Sequence, residues 1–234
     1  MTKEPLHPLF DNFVQRATSI ARENTPCVLA PMPCDISLEF LARLAGDGWI
    51  SPVLINPDAS LRARWEKLSK VGADLWASES SADAARMAQQ LVGDGQVDIL
   101  LWGGLSTEEL AQAVGTRDGA VLSHASVVAL PDRDRLLTIT DGGWNILPTL
   151  DETVGIVRNS IALLGVIGVK EPRIAILSAV EDIDPRIPRT MEAASITQMA
   201  RRGLFEPAVV DGPLRFDHAI ALPAGYEPPF HSPV

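Results

Sequence analysis

Four short polar clusters in the second half of this sequence carry side chains that could handle a proton or an anion. They are Ser123-His124; Thr140-Asp141-Gly142-Gly143 with Asn145; Ser178-Ala179-Val180-Glu181; and Asp211-Gly212-Pro213 followed by Asp217. Each sits at an end of an apolar run that reads as a strand, and open α/β sheets bind ligands at their strand ends. Hydroxyls and amides donate hydrogen bonds, carboxylates exchange protons, and a glycine beside an acid lets backbone approach a phosphate or thioester closely. A hydroxyl or carboxylate just past an apolar run is also a common cap or turn former. Four such clusters leaving consecutive strands point to a shared site, with Ser123, Asp141, Ser178 and Asp211 expected to line one concavity.

Other chemistries lack their residues. There is no Walker loop and no G-x-S-x-G elbow. Gly93-Asp94-Gly95 has Asp98 where a dinucleotide loop needs its third glycine, so it reads as a helix stop and turn. Cys27 and Cys34 are the only cysteines and no histidine cluster accompanies them, so neither a disulfide framework nor a zinc site is expected. No metal and no cofactor is anticipated.

Positioning these clusters requires a regular scaffold, and the hydrophobic rhythm supplies one. Cys27–Ala30, Pro52–Ile55, Ala73–Ala77 and Val97–Trp102 read as strands. Leu38–Ala45, Ala59–Lys70, Ala82–Val92 and Glu108–Val114 read as the helices between them, a βα alternation that predicts a largely parallel sheet. Ser106 and Glu109 have the spacing of a capping box. The pattern changes at residue 121. Val121–Leu130 and Leu136–Thr140 are too close for a crossover helix, so an antiparallel hairpin is expected and the sheet becomes mixed. Thr149 and Glu152 then cap a helix whose apolar residues recur at Leu150, Val154, Val157, Ile161, Leu164 and Ile167. Arg173–Val180 is the next strand, Thr190 is the expected cap of a helix to Arg202 ended by Gly203, and Pro207–Val210 is the last strand. The division is an N-terminal α/β subdomain over 1–120, a second over 121–221, and an irregular proline-rich tail over 222–234.

Composition narrows the class of partner. With 234 residues, 46% hydrophobic and 21% charged, the chain suits a globular enzyme and not a disordered segment. A net charge of −10 argues against a nucleic-acid surface and requires any anionic ligand to be held by local groups. The apolar run Ile161–Val169 is too short to span a bilayer, and the N-terminus lacks the pattern of a signal peptide, so a cytoplasmic protein without membrane contact is expected.

The order and spacing of several motifs carry a family resemblance. They are Leu122-Ser123-His124, Leu137-Thr138-Ile139-Thr140-Asp141, Asn145-Ile146 with Pro148, the run Arg173 to Glu181, and Val210-Asp211-Gly212-Pro213-Leu214 with Phe216-Asp217 and Ala219-Ile220. Together they resemble the phosphate acetyl/butyryltransferase family, most closely its phosphotransbutyrylase branch, over roughly residues 97–220. The resemblance implies an α/β fold of two subdomains related in architecture to the isopropylmalate dehydrogenases, with the site in the cleft between them. It also implies acyl-CoA + phosphate ⇌ acyl phosphate + CoA, with a short acyl chain (acetyl or butyryl) and with coenzyme A and phosphate as substrates. In that reaction Ser178 and Ser123 are the candidate oxyanion donors and Asp211, Asp217 and Glu181 the acid/base candidates. His124, Thr140, Asp141, Asn145 and Gly212 complete the substrate-binding set, with Arg189 and Arg186 as phosphate or CoA contacts.

Two departures define a rival reading. Trp102-Gly103-Gly104 stands where the family commonly shows Lys-Gly, an indole in place of an ammonium. The family also continues through further strands and helices after its Asp-Gly-Pro segment, so this sequence reads as shortened at its C-terminus. The rival is a non-catalytic member that binds an acyl-CoA or a protein partner. An oxidoreductase of the related dehydrogenase architecture lacks both the nucleotide signature and clustered aspartates for a metal. A shortened fold with an exposed sheet edge favours a homodimer.

Overall fold

The computed structural model describes residues 8–56, 58, 60–114, 120–130, 135–220 and 231–234. The chain divides into two compact units, Met1–Ala120 and Val121–Val234.

The first unit is built on four parallel strands, β1 (Cys27–Pro31), β2 (Ser51–Asn56), β3 (Asp74–Ala77) and β4 (Ile99–Leu100), in the order β3-β2-β1-β4. Side chains alternate across a strand, so β1 sends Val28 and Ala30 to one face and Leu29 to the other. Strand β2 does the same with Leu54 against Val53 and Ile55. Two helices, α2 (Asp35–Gly46) and α3 (Leu61–Leu68), cover the first face with Leu38, Leu41, Leu61 and Trp65. On the second face lie α4 (Ser81–Gly93) and α5 (Thr107–Val114), with Ala84, Ala85, Ala88 and Ala113. Apolar runs without polar interruption are what a strand covered on both faces needs.

Two details differ from the sequence reading. Helix α1 (Asp11–Glu23) is an addition to that reading, although Phe13, Val14, Ala17, Ile20 and Ala21 recur at helical spacing, and Ala21 is its one buried residue among those described. Strand β4 is shorter than Val97–Trp102. At its start the Asp98 carboxylate accepts from Cys27 N–H at 2.8 Å, so a side chain replaces part of the ladder. At its end the chain turns at Gly103, where a Cβ would lie 2.5 Å from the Met32 carbonyl oxygen. The capping box at α5 forms as expected: Glu109 N–H donates to Ser106 Oγ at 3.2 Å and Ser106 N–H to Glu109 Oε2 at 2.8 Å.

In the second unit, β5 (Ala125–Ala129) and β6 (Leu136–Thr140) form the expected antiparallel pair, in register from Ala125↔Thr140 to Ala129↔Leu136. The hairpin connection at 131–134 and the tail at 221–230 lie outside the described residues. Helix α6 (Leu150–Val166) begins with the reciprocal Thr149–Glu152 capping box. Strands β7 (Arg173–Leu177) and β8 (Val209–Leu214) pair in parallel, joined by α7 (Pro188–Arg201). Val157 and Val154 of α6, Ile196 of α7, Phe205 and Val210 make the core here. The last element is α8 (Phe216–Ile220).

This is the mixed, mainly parallel α/β class with flanking helices that the sequence predicts, but the parallel and antiparallel strands do not share a ladder. The described strands form one four-stranded and two two-stranded sheets. Thr190 is not the N-cap of α7. Pro188 already occupies the first turn, where its missing N–H costs nothing, and Thr190 is fully buried. Its hydroxyl accepts from Asp184 N–H at 2.9 Å and pins the preceding loop. The other end follows expectation. Gly203, at φ +85°, closes a Schellman motif in which Leu204 N–H donates to Met199 O and Gly203 N–H to Ala200 O.

Candidate active site

Candidate residues of the hairpin end are organised around Asp141. Its carboxylate accepts from the backbone N–H groups of Gly143 (3.2 Å), Trp144 (2.9 Å) and Asn145 (3.2 Å), and from the Asn145 side-chain amide. Burial pushes the Asp141 carboxyl up, but these donors, with the His124 backbone, outweigh it and hold the group below the ordinary carboxylate range. The other Asn145 bond runs to Leu122 O at 2.8 Å, and Thr140 Oγ1 donates to His124 O at 2.7 Å. Ser123, His124, Thr140, Asp141 and Asn145 thus come together. This network also explains why β5 starts at Ala125 and not at Val121: side chains, not a strand partner, take the carbonyls of Val121 and Leu122.

Asn159 was not singled out from the sequence. It donates to Val121 O at 2.8 Å and Ser123 Oγ at 2.9 Å, and with Ser123 lines a hollow of about 280 Å³. A polar residue off the apolar stripe of α6 reads as solvated. Gly155, one turn earlier, shows how close the segment packs, since a Cβ there would sit 2.7 Å from Val121 Cγ2.

The second group forms around the C-terminal ends of β7 and β8. The Asp211-Gly212-Pro213 cluster does not follow the last strand, as expected, but lies inside it. The register shifts from Ala175↔Asp211 to Leu177↔Leu214, so β8 carries one residue more than β7 across this stretch. Such a bulge re-aims side chains while the ladder continues. Gly212 is required there, because a Cβ would lie 2.6 Å from Ile176 O, and Thr197 Oγ1 holds the Gly212 carbonyl at 2.9 Å. Glu181, Asp211 and Gly212 line a hollow of about 690 Å³ together with Thr197 and Arg201 of α7. Ser123 and Asp211 therefore line different hollows.

Ser178 follows β7 as expected, with its N–H bonded to Leu214 O at 2.9 Å. Its hydroxyl oxygen is buried and without a hydrogen-bond partner among the described residues. Asp217 accepts both Nε (3.1 Å) and a terminal nitrogen (2.9 Å) of Arg215, which holds its carboxyl below the usual range. The Glu181 side chain is largely covered, and its Oε1 meets His218 Nδ1 at 2.8 Å and Arg215 N–H at 3.3 Å. His218 is a second residue that sequence reasoning passed over.

Neither expected arginine is an open cation. Arg189 donates to Pro148 O at 2.7 Å and pairs with Glu192, which ties α7 to the start of α6. Arg186 is chelated by Asp184 two residues away. Arg201, near the end of α7, borders the larger hollow and has no ion-pair partner among the described residues. No group of three or more His, Cys, Asp or Glu side chains among the described residues is placed to hold a metal ion, and no described helix is long and apolar enough to cross a membrane.

Known proteins with similar sequences share most of this chain. A family model described as Phosphate acetyl/butaryl transferase matches residues 59–224. A phosphate acetyltransferase from Rhizobium meliloti is 38% identical over 228 residues, covering 94% of this chain and 72% of that protein. A phosphate butyryltransferase from Clostridium acetobutylicum is 38% identical over 148 residues, covering 61% of this chain and 49% of its own length. Among solved structures, a branched-chain phosphotransacylase from Enterococcus faecalis matches with a TM-score of 0.66 at 26% identity, over 82% of this chain and 69% of that one.

Proposed function

This chain belongs to the phosphate acetyl/butyryltransferase family, and we propose that it catalyses acyl-CoA + phosphate ⇌ acyl phosphate + CoA with a short acyl group. The observation that carries the reading is the hollow beside β8. There Arg201, a cation with no ion-pair partner among the described residues, stands with two carboxylates, Glu181 and Asp211, and with Gly212. In a chain of net charge −10, phosphate needs such a local cation.

In this reading Arg201 holds phosphate for attack on the thioester carbonyl, so positioning supplies much of the rate. The C–O bond forms, the C–S bond breaks, and a carboxylate of the hollow carries the proton from phosphate to the departing sulfur. Asp217, held ionised by Arg215, is a poor proton carrier and instead fixes the turn after β8. Ser178, whose buried hydroxyl has no partner among the described residues, is the proposed donor to the developing oxyanion. The hairpin group of Ser123, His124, Thr140, Asp141 and Asn145 serves acyl-CoA. Coenzyme A and phosphate are substrates and no separate cofactor is invoked. The setting is cytoplasmic, and the unpaired edges of the two-stranded ladders favour a homodimer.

The test is phosphate-dependent CoA release from acetyl-, propionyl- and butyryl-CoA. Arg201→Ala is expected to raise the KM for phosphate roughly 10-fold or more, the loss of one charged hydrogen bond. Absence of phosphate-dependent release with every short acyl-CoA would favour the non-catalytic, ligand-binding reading.

A further inference from the structure

We infer that His218 is the positioning residue for Glu181, and that Glu181, not Asp211, carries the proton in the acyl transfer proposed above; the inference rests on that reading. Glu181 and His218 side chains are 10% and 8% exposed, and Glu181 Oε1 lies 2.8 Å from His218 Nδ1. The same oxygen accepts from the Arg215 backbone N–H at 3.3 Å. An oxygen already accepting from an amide has a lone pair, not a proton, to offer the ring, so the hydrogen sits on His218 Nδ1. Both bonds use Oε1. No described residue bonds Oε2, although the side chain is nine-tenths buried and lines the hollow with Arg201 and Gly212. A buried carboxylate with one oxygen held by two donors and the other uncommitted is oriented for proton exchange with a ligand. Asp211 has no such holder among the described residues, and Asp217 is spent on Arg215.

The balance closes without a further reactant. Hydrogen phosphate forms the new C–O bond while its proton passes to Glu181 Oε2. The C–S bond breaks with its electron pair on sulfur, and Glu181 returns the proton there, ending ionised as it began. His218 touches no substrate. It keeps the carboxylate in one rotamer, so its loss should act on turnover and not on substrate binding.

Asparagine places its amide nitrogen near where Nδ1 stands in histidine, which provides a rescue. With butyryl-CoA and phosphate, Glu181→Gln should lower kcat by about 10²-fold or more. His218→Ala should lower kcat about 10-fold or more with both KM values within about twofold, and His218→Asn should restore most of it. In the Glu181→Gln background, His218→Ala should add little, because the group it positions is already disabled. A His218→Asn variant as slow as His218→Ala, or an equal loss from His218→Ala in both backgrounds, would overturn the role. Nitrogen-15 NMR of the imidazole provides a readout apart from activity, with an Nδ1–H tautomer expected. An active protein whose His218 is the Nε2–H tautomer refutes the pairing alone. An unmutated protein that releases no CoA while His218 shows Nδ1–H refutes the acyl-transfer reading, and with it the role but not the pair.

Discussion

The two units are held together by different physics. In the first, the central strands β1 and β2 are sandwiched between two apolar clusters, and Leu29, Ala30, Leu54 and Ile55 are fully buried. Among the described residues the second has a single cluster, around Val157, Ile196, Phe205 and Val210. Much of its shape comes instead from directed bonds: Asp141 to three backbone amides, Asn145 and Asn159 to carbonyls of residues 121–122, Thr190 to the loop before α7. Hydrophobic burial is non-directional and tolerates small shifts, whereas a hydrogen bond fixes the atoms at its ends. The unit with more burial is a platform. The one with more directed bonds holds chemistry-bearing groups at fixed places.

Substitutions can break or sharpen this contrast. Leu54→Ala, in the platform, should have the largest effect on stability, a loss of about 2–5 kcal/mol from transfer and cavity terms together. It would be read as a lower urea midpoint. Removing the hub of the directed network by Asp141→Ala should cost about 1–3 kcal/mol, since several N–H donors lose a charged acceptor. A cost equal to or above that of Leu54→Ala would erase the distinction between the units.

Asp141 also gives the contrast a pH signature. Its carboxyl is held below the ordinary range in the folded chain. The stabilisation it adds is therefore complete above the unfolded value of about 4 and is lost as pH falls through the lower folded value. Between pH 7 and pH 3 the difference in urea midpoint between the unmutated chain and Asp141→Ala should narrow. A gap that stays constant would show that Asp141 acts by packing and not by charge.

Smaller effects test single devices. Thr149→Ala opens the α6 capping box and should cost about 1 kcal/mol, measurable as a fall in the thermal midpoint. Ser178→Ala removes a buried hydroxyl that has no partner among the described residues, so stability should stay within about 0.5 kcal/mol. Turnover should nonetheless fall on the order of 10²–10³-fold through the lost oxyanion donor. Arg189→Ala should lower turnover less, because its guanidinium is committed to Pro148 O and Glu192. Greater loss from Arg189→Ala would reverse the two roles.

Local patterns made much of this molecule legible beforehand. Both capping boxes are three-residue spacings whose partners are built into one turn, so Ser106–Glu109 and Thr149–Glu152 need no tertiary information. The short gap between Leu130 and Leu136 excluded a crossover and left an antiparallel pair. Apolar runs covered on both faces announced the parallel strands of the first unit. The polar clusters also emerged as types, because Ser, Asp and Gly beside apolar runs are visible in one dimension.

Tertiary structure alone decided what those groups face. Glu181 and His218 are 37 positions apart, and Asn159 and Ser123 are 36, distances over which spacing carries no signal. Arg189 and Arg186 pair with acids two or three residues away, but only packing brings Arg189 to Pro148 O and leaves Arg201 beside the hollow. The bulge that draws Asp211-Gly212-Pro213 into β8 depends on Ile176 O lying where a Cβ would go. Periodicity and spacing report how a residue relates to its chain neighbours. Which donor meets which acceptor depends on how elements pack, and that is set by the summed burial of many distant side chains.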